Sequence, residues 1–276
     1  MPSVSVTTSS EPAAQPATPS LALAERFAAL RAEGRKALVC YATAGHPDPA
    51  QSLALLRGLE RAGADVIEVG VPFSDPLADG PVIQQSSQRA IEHGVTFAST
   101  LELIAEARLS VPVVLFSYLN PVMAAGPDAL RRAAAAGVHG ILITDLPVGA
   151  DRAREDWLGS GPLAFVRLVA PTTPAARMSE IARNGGGFVY LISRLGVTGE
   201  QSDIAQSLPA TVQRLRDATS LPICVGFGIS TPEQAAQVAR ISDGVVVGSA
   251  IVRAAERSVD AAVALTASLR QALDAR

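Results

Sequence analysis

Asp65-Val-Ile-Glu-Val-Gly70 is a short apolar run with one acid inside it and a glycine at its end. Ala62-Gly-Ala64 stands directly before it, and Gly at that point suits a helix C-cap. Further upstream, Leu53, Leu56 and Leu59 recur at helical spacing, with Arg57, Glu60 and Arg61 on the other face. This order of amphipathic helix, glycine turn and apolar strand repeats along the chain. Runs of the same kind begin near Ala37, Val111, Val138, Leu163, Phe188, Leu221 and Asp243, so there are eight, one about every 29 residues. That is the size of a βαβ unit. Near-continuous apolar strands are covered on both faces, which implies parallel pairing. Eight such units predict an α/β fold, the (β/α)8 TIM barrel. A doubly wound open sheet is the alternative; the even spacing and the lack of an early Gly-x-Gly-x-x-Gly weigh against it.

Leu21–Glu33 predicts an extra N-terminal helix before the first strand, and Asp260–Ala275 a closing one. Residues 1–20 are rich in Ser, Thr, Pro and Ala, with Glu11 the only charge, and predict a disordered N-terminal tail. A single barrel domain over 21–276 is the expected organisation. The basic start and apolar centre of a signal peptide are missing, and the first arginine is Arg26. The uncharged stretch Leu109–Pro127 is broken by Pro112, Asn120 and Pro121, and it reads as a buried strand and a loop rather than a membrane span. A cytoplasmic protein is expected.

Composition narrows the chemistry. Of 276 residues, 48% are hydrophobic, and the net charge is −3. Nothing in that balance points to nucleic acid or an anionic membrane. Of the 23 basic residues only Lys36 is lysine, and it precedes the first strand, at the face opposite the functional loops. A Schiff-base mechanism needs a lysine at a strand's C-terminal end, so that route is excluded. The three histidines are scattered. His46 alone falls in a C-terminal loop, and each reads as a surface or turn residue, so no metal site is expected. Cys40 and Cys224 sit in strand runs and fit a reducing compartment.

In a TIM barrel the chemistry lies in the loops after the strands. After the seventh run comes Gly226-Phe-Gly-Ile-Ser-Thr231, and after the eighth Gly248-Ser-Ala-Ile-Val252, which opens a short helix. Both let backbone approach a ligand, and a helix N-terminus suits an anion. Loops in these two places form the usual phosphate grip. They contain no Lys or Arg, so backbone amides, Ser249 and Ser230 are the expected contacts. At the other end of the chemistry, Glu68 is set among Val66, Ile67, Val69 and Val71, where desolvation raises a carboxyl pKa towards general acid–base use; pairing with an arginine is the structural alternative. Asp75 and Asp79 share the following Pro- and Gly-containing loop, and position alone does not choose between them. Proton transfer by carboxylates on a phosphorylated small molecule is what remains.

Glu68-Val-Gly-Val-Pro-Phe-Ser-Asp-Pro-Leu-Ala-Asp-Gly-Pro81 closely resembles the signature of the tryptophan synthase α subunit. So do Ser193-Arg-Leu-Gly-Val-Thr-Gly199, Gly226–Ser230 and Gly248–Val252, in the family's order and spacing over about residues 21–276. The resemblance implies retro-aldol cleavage of indole-3-glycerol phosphate to indole and glyceraldehyde 3-phosphate, a step of tryptophan biosynthesis. It implies Glu68 as the general acid/base and Asp79 as the partner of the indole N–H. It also implies Tyr41, Phe116, Leu142, Tyr190, Thr198 and Phe227 around the indole, and Gly199, Gly228, Gly248 and Ser249 around the phosphate. Residues after the sixth strand up to Asp203 would form a mobile lid carrying Thr198 and Gly199. No metal or cofactor is implied in this chain; pyridoxal phosphate belongs to the β subunit. That partner would complete an αββα heterotetramer, with contacts at Asp75, Pro76, Asn120 with Pro121, and Pro147. A free-standing lyase, a non-catalytic barrel serving a β-type partner, and a sugar-phosphate isomerase or epimerase are the competing readings. Tyr41 stands where relatives commonly have an apolar aromatic.

Overall fold

The computed structural model describes residues 19–192, 201–226 and 228–275, with the side chains of 19, 20 and 201–207 left aside. The expected tail at 1–20 therefore lies almost wholly outside the described residues. The chain alternates as α1 (Pro19–Ala32), β1 (Ala37–Thr43), α2 (Pro49–Arg61), β2 (Val66–Gly70), α3 (Pro81–Glu92), α4 (Phe97–Ala107), β3 (Val113–Ser117), α5 (Leu119–Ala124), α6 (Ala129–Ala135) and β4 (Gly140–Ile143). It continues as α7 (Arg152–Gly159), β5 (Ala164–Val169), α8 (Ala175–Arg183), β6 (Val189–Ile192), α9 (Gln201–Ala218), β7 (Ile223–Gly226), α10 (Pro232–Ala239), β8 (Gly244–Val247), α11 (Ser249–Arg257) and α12 (Val259–Asp274). The strands pair in parallel in sequence order, and β8 returns to β1 in the register Val39 to Val246, closing the barrel. The (β/α)8 TIM barrel with its extra N-terminal helix is borne out.

Period-two alternation divides each strand between two cores. On β1, Leu38, Cys40 and Ala42 join the cluster under the helices, while Ala37 and Val39 join the cluster inside the barrel. The interior cluster continues through Val66, Val114, Leu142, Val166, Phe188, Cys224 and Val246. Helix α1 plugs its N-terminal end. Leu23, Phe27 and Leu30 lie one turn apart and are buried, and the ring of Phe27 rests 5.5 Å from that of Phe188. Glycine makes room for the plug: a Cβ on Gly140 would fall 2.7 Å from Leu23 Cδ1.

One buried acid ties both chain ends to this floor. Asp65 Oδ2 accepts from the Leu38 amide at 2.8 Å and from Arg270 Nη1 of α12 at 2.8 Å. Its Oδ1 pairs with Arg26 of α1. Arg270 also donates to the Lys36 carbonyl at 2.9 Å. Lys36 Nζ donates to the Ser242 carbonyl at 2.8 Å, which places the chain's single lysine at the floor, away from the C-terminal mouth.

Three local expectations change. Part of the segment read as a loop after Ser117 is α5, with Tyr118 as N-cap and Pro121 in the first turn, where a missing N–H costs nothing. Helix α9 begins at Gln201, so the last residues of the expected lid are helical. His46 occupies a turn as expected but is fully buried rather than superficial, with α11 against it; its Nε2 lies 3.4 Å from the Val252 carbonyl.

Asp65→Ala would remove one of the two carboxylates on the buried Arg270, leaving Asp274 at 2.6 Å, and would strip the Leu38 amide of its acceptor; leaving such buried donors unpaired costs about 1–3 kcal/mol. Equilibrium urea unfolding should show that loss, with a smaller one for Asp65→Asn, which keeps an acceptor for the Leu38 amide. A change under about 1 kcal/mol would mean the ion pair does not hold the floor.

Candidate active site

The interior changes character above the Val39–Val66–Val114 level. The next inward residues are Tyr41 on β1, Glu68 on β2, Phe116 on β3 and Tyr190 on β6, and Tyr41 and Glu68 are register partners. Small residues make this layer fit. A Cβ on Gly70 would fall 2.1 Å from Tyr41 Oη, and one on Gly226 2.6 Å from Tyr190 Oη. The Tyr41 ring stands edge-on to Phe116 with centroids 5.2 Å apart. Leu142 is fully buried in the interior cluster, against which Phe116 and Tyr190 pack.

Glu68 is 1% exposed, and among the described residues its Oε1 has no hydrogen-bond partner. The alternative of a structural carboxylate paired with an arginine is therefore not what the described residues show. Burial alone pushes its pKa from 4.5 up to about 8, since a carboxylate in an apolar shell loses its hydration without replacement.

Asp79 reaches the same space from the loop 71–80. Its Oδ2 accepts from Tyr118 Oη at 3.0 Å, and the Ala78 amide donates to that same oxygen of Tyr118 at 2.9 Å. Burial pushes Asp79 up to about 6, with the Tyr118 bond pulling the other way. Burial, then the charges of Asp79 and Glu68, hold the Tyr41 hydroxyl well above its usual range; for Tyr190 burial comes first and Glu68 next. Both tyrosines thus feel both carboxylates, which converge on one space.

Tyr118 is the residue that sequence reasoning missed. It ends the apolar run Val111–Tyr118, a position of the same kind as the residues singled out on other strands, and that was the available signal. Its ring packs on Phe73, centroids 5.1 Å apart.

Opposite, Gly228 takes the left-handed conformation at φ +85°, which favours glycine. Gly248 is the N-cap of α11 and Ser249 its exposed first residue, with no side chain capping the end. The free N–H groups of this nine-residue helix suit an anion. Ser230 is engaged instead with Gln234, its amide donating to Oε1 at 2.8 Å. Thr198, Gly199 and Phe227 lie outside the described residues. Asp75 and Pro147 are exposed and Pro76 half-buried on the loops that follow β2 and β4, and Asn120 is exposed in α5, just after β3. Among the described residues no three His, Cys, Asp or Glu side chains group as a metal site, and no helix is long and apolar enough to cross a membrane.

Fold and site together define a TIM barrel with two carboxyls of raised pKa at its C-terminal mouth, beside an uncapped helix N-terminus that suits an anion. The comparisons with known proteins give that class a family. The family described as "Tryptophan synthase alpha chain" matches residues 27–274. Tryptophan synthase alpha chains of Citrifermentans bemidjiense and Laribacter hongkongensis are each 48% identical to it, over 238 and 259 residues. These matches span 85% and 91% of this chain and 89% and 98% of the relatives. The crystal structure of tryptophan synthase subunit alpha from Legionella pneumophila superposes with a TM-score of 0.82 at 36% identity, covering 91% of this chain and 98% of that one. The chain belongs to the tryptophan synthase α chain family, whose members cleave indole-3-glycerol phosphate to indole and glyceraldehyde 3-phosphate. Membership implies a β-subunit partner.

Glu68 supplies a stability test. Its pKa is raised in the folded chain, so the folded state holds the proton that the unfolded state releases between about 4.5 and about 8. The neutral acid's contribution is fully present below the unfolded value and is lost as pH rises through the folded one. Glu68→Gln stays neutral throughout. Urea unfolding should therefore find the variant increasingly stable relative to wild type as pH rises across that window. A stability difference independent of pH would mean that Glu68 is solvated.

Proposed function

We propose that this chain is a carbon–carbon lyase that cleaves indole-3-glycerol phosphate by carboxylate acid–base chemistry. The observation that carries the reading is Glu68, buried and unpartnered in the barrel mouth within electrostatic reach of Tyr41 and Tyr190. At neutral pH a carboxyl of pKa about 8 holds its proton, and so can deliver it to indole C3. The ring nitrogen then carries positive charge, and an ionised Asp79 held by Tyr118 offsets it. The Glu68 carboxylate left behind takes the proton from the glycerol hydroxyl next to the ring. That carbon becomes the aldehyde, and the electron pair of the breaking C–C bond restores the indole C2=C3 double bond while the nitrogen regains its lone pair. Glu68 ends protonated, and no metal or imine enters the cycle.

Tyr41, Phe116, Leu142 and Tyr190 would surround the indole, together with Phe227 and Thr198. Gly228, Gly248 and Ser249 would hold the phosphate through backbone amides and one hydroxyl, together with Gly199. This chain needs no cofactor, and pyridoxal phosphate is expected in the β partner alone. The assembly proposed is an αββα heterotetramer, docked through Asp75, Pro76, Asn120 and Pro147. Two free, buried thiols, Cys40 and Cys224, suit a reducing, cytoplasmic setting. The barrel over 21–276 is read as one catalytic domain.

The deciding assay mixes the chain with indole-3-glycerol phosphate and measures indole, with and without a β subunit. Weak activity strongly raised by the partner supports the assembly, and full activity alone supports a free-standing lyase. Glu68→Gln should lower kcat by about 10²–10⁴ while phosphate binding survives; retained turnover would refute the assignment. Asp79→Asn should cost less, because an amide still accepts a hydrogen bond but cannot offset charge. The kcat profile should rise through the Asp79 value of about 6 and fall through the Glu68 value of about 8. In Asp79→Asn the acidic limb should disappear.

A further inference from the structure

Tyr41 makes the pocket more than a hydrocarbon slot. Its ring lies between the Gly248 end of the phosphate loop, with Cγ and Cδ1 3.7 Å from where a Cβ on that glycine would be, and the bare backbone of Gly70. A phenylalanine would fill the same volume. What the tyrosine adds is one hydroxyl, with one proton and two lone pairs.

Counting donors settles where that proton goes. Ser86 Oγ, on α3, donates its single proton to the Ile83 carbonyl at 2.8 Å. Thr43 Oγ1 lies 2.7 Å from Ser86 Oγ, so Thr43 is the donor in that contact. With the Thr43 proton so used, Tyr41 Oη, 3.3 Å from Thr43 Oγ1, can only donate to it. The chain of hydroxyls runs one way, from Tyr41 through Thr43 and Ser86 to a carbonyl, and Tyr41 offers nothing but lone pairs to its other neighbours.

The geometry points to Tyr41 as a specificity-determining residue that favours indole rings bearing a hydrogen-bond donor, such as hydroxyl or amino, on the benzo edge. The inference rests on the lyase reading, in which Asp79 takes the ring N–H and Glu68 faces C3, so the benzo edge is the part of the ring left for Tyr41. A donor there meets an oriented acceptor. A methyl group leaves the free lone pairs of the Tyr41 oxygen without a donor, and a methoxy group sets lone pair against lone pair. Sites that hydrogen-bond a substrate group discriminate through the unpaired polar group left when that group is missing.

The test runs the reaction in the direction of condensation, supplying the holo-assembly or the free chain with glyceraldehyde 3-phosphate and indoles substituted in turn at each benzo carbon. Wild type should show, at one ring position, kcat/KM about tenfold higher for the hydroxyindole than for the methyl- or methoxyindole. Tyr41→Phe should bring that ratio close to one. Thr43→Val frees the Tyr41 proton, so the penalty on the methoxyindole should shrink. Ratios within one variant do not depend on how much of it is folded. No preference at any position in wild type, or a preference that survives in Tyr41→Phe, overturns the inference and leaves the lyase reading standing. Failure of wild type to condense unsubstituted indole overturns the lyase reading itself, and this inference with it.

Discussion

Pairing β8 back onto β1 fixes the volume inside an eight-strand barrel, and that volume admits side chains but no solvent channel. The remaining organisation follows from how the space is divided. At the floor it is filled by the plug of α1 with Leu23 and Phe27, seated where Gly140 and Gly187 leave room. At the middle it is filled by valine and leucine. At the top it must hold three aromatic rings and an acid, and this is feasible because Gly70 and Gly226 contribute no side chain. The same packing that closes the core beneath Glu68 is what removes its water. Burial of the catalytic candidate is thus a consequence of barrel closure rather than a separate device.

The two carboxyls are shifted by the same cause to different extents. Glu68 sits on a strand, with neighbours held by the sheet, and its Oε1 receives no hydrogen bond from the described residues. Asp79 sits in a loop and receives one, from Tyr118. A hydrogen bond to the charged form favours ionisation, so one group stays a proton donor near neutrality while the other is largely an anion there. Acid and counter-charge are distinguished first by depth, since Asp79 is only half-buried where Glu68 is fully buried, and then by one phenol; pairs of groups whose environments separate their pKa values carry divided roles in this way.

The fold was legible because a parallel barrel writes its period into the chain. Each strand, buried on both faces, is an apolar run, and each glycine turn marks its start. Glu68 was legible for the related reason that a charge inside such a run has nowhere to go but inward. Asp79 could not be separated from Asp75 by position, since both stand in one turn-rich loop; the difference lies in a contact with Tyr118, 39 residues later. Tyr118 itself reads as the last residue of an apolar strand, and only the return of the loop across β3 turns its hydroxyl into a ligand for Asp79. His46 reads as a turn residue because its neighbours are turn formers, while its burial depends on α11, more than 200 residues away in sequence. Long-range packing is the common reason for what local pattern missed.

Tyr118 also bears on how the mouth is held together. The loop 71–80 has little backbone pairing of its own beyond the short turns Leu77 N to Asp75 O and Asp79 N to Pro76 O. Its shape is set from outside: Tyr118 Oη takes the Ala78 amide, and Gln84 Nε2 donates to the carbonyls of Asp79 and Pro76 at 2.9 and 3.3 Å. Next to Tyr118, the Leu119 amide that opens α5 donates to Asp145 Oδ1 at 2.8 Å, and Asp145 belongs to the loop that carries Pro147. The loops after β2, β3 and β4 are therefore cross-tied through side chains rather than through a sheet. Each of them bears an exposed or half-exposed residue of the proposed docking face, and one end of the tie is Asp79. The one phenol that fixes the rim at Ala78 also fixes Asp79, so the shape of that loop and the orientation of the carboxylate rest on the same side chain.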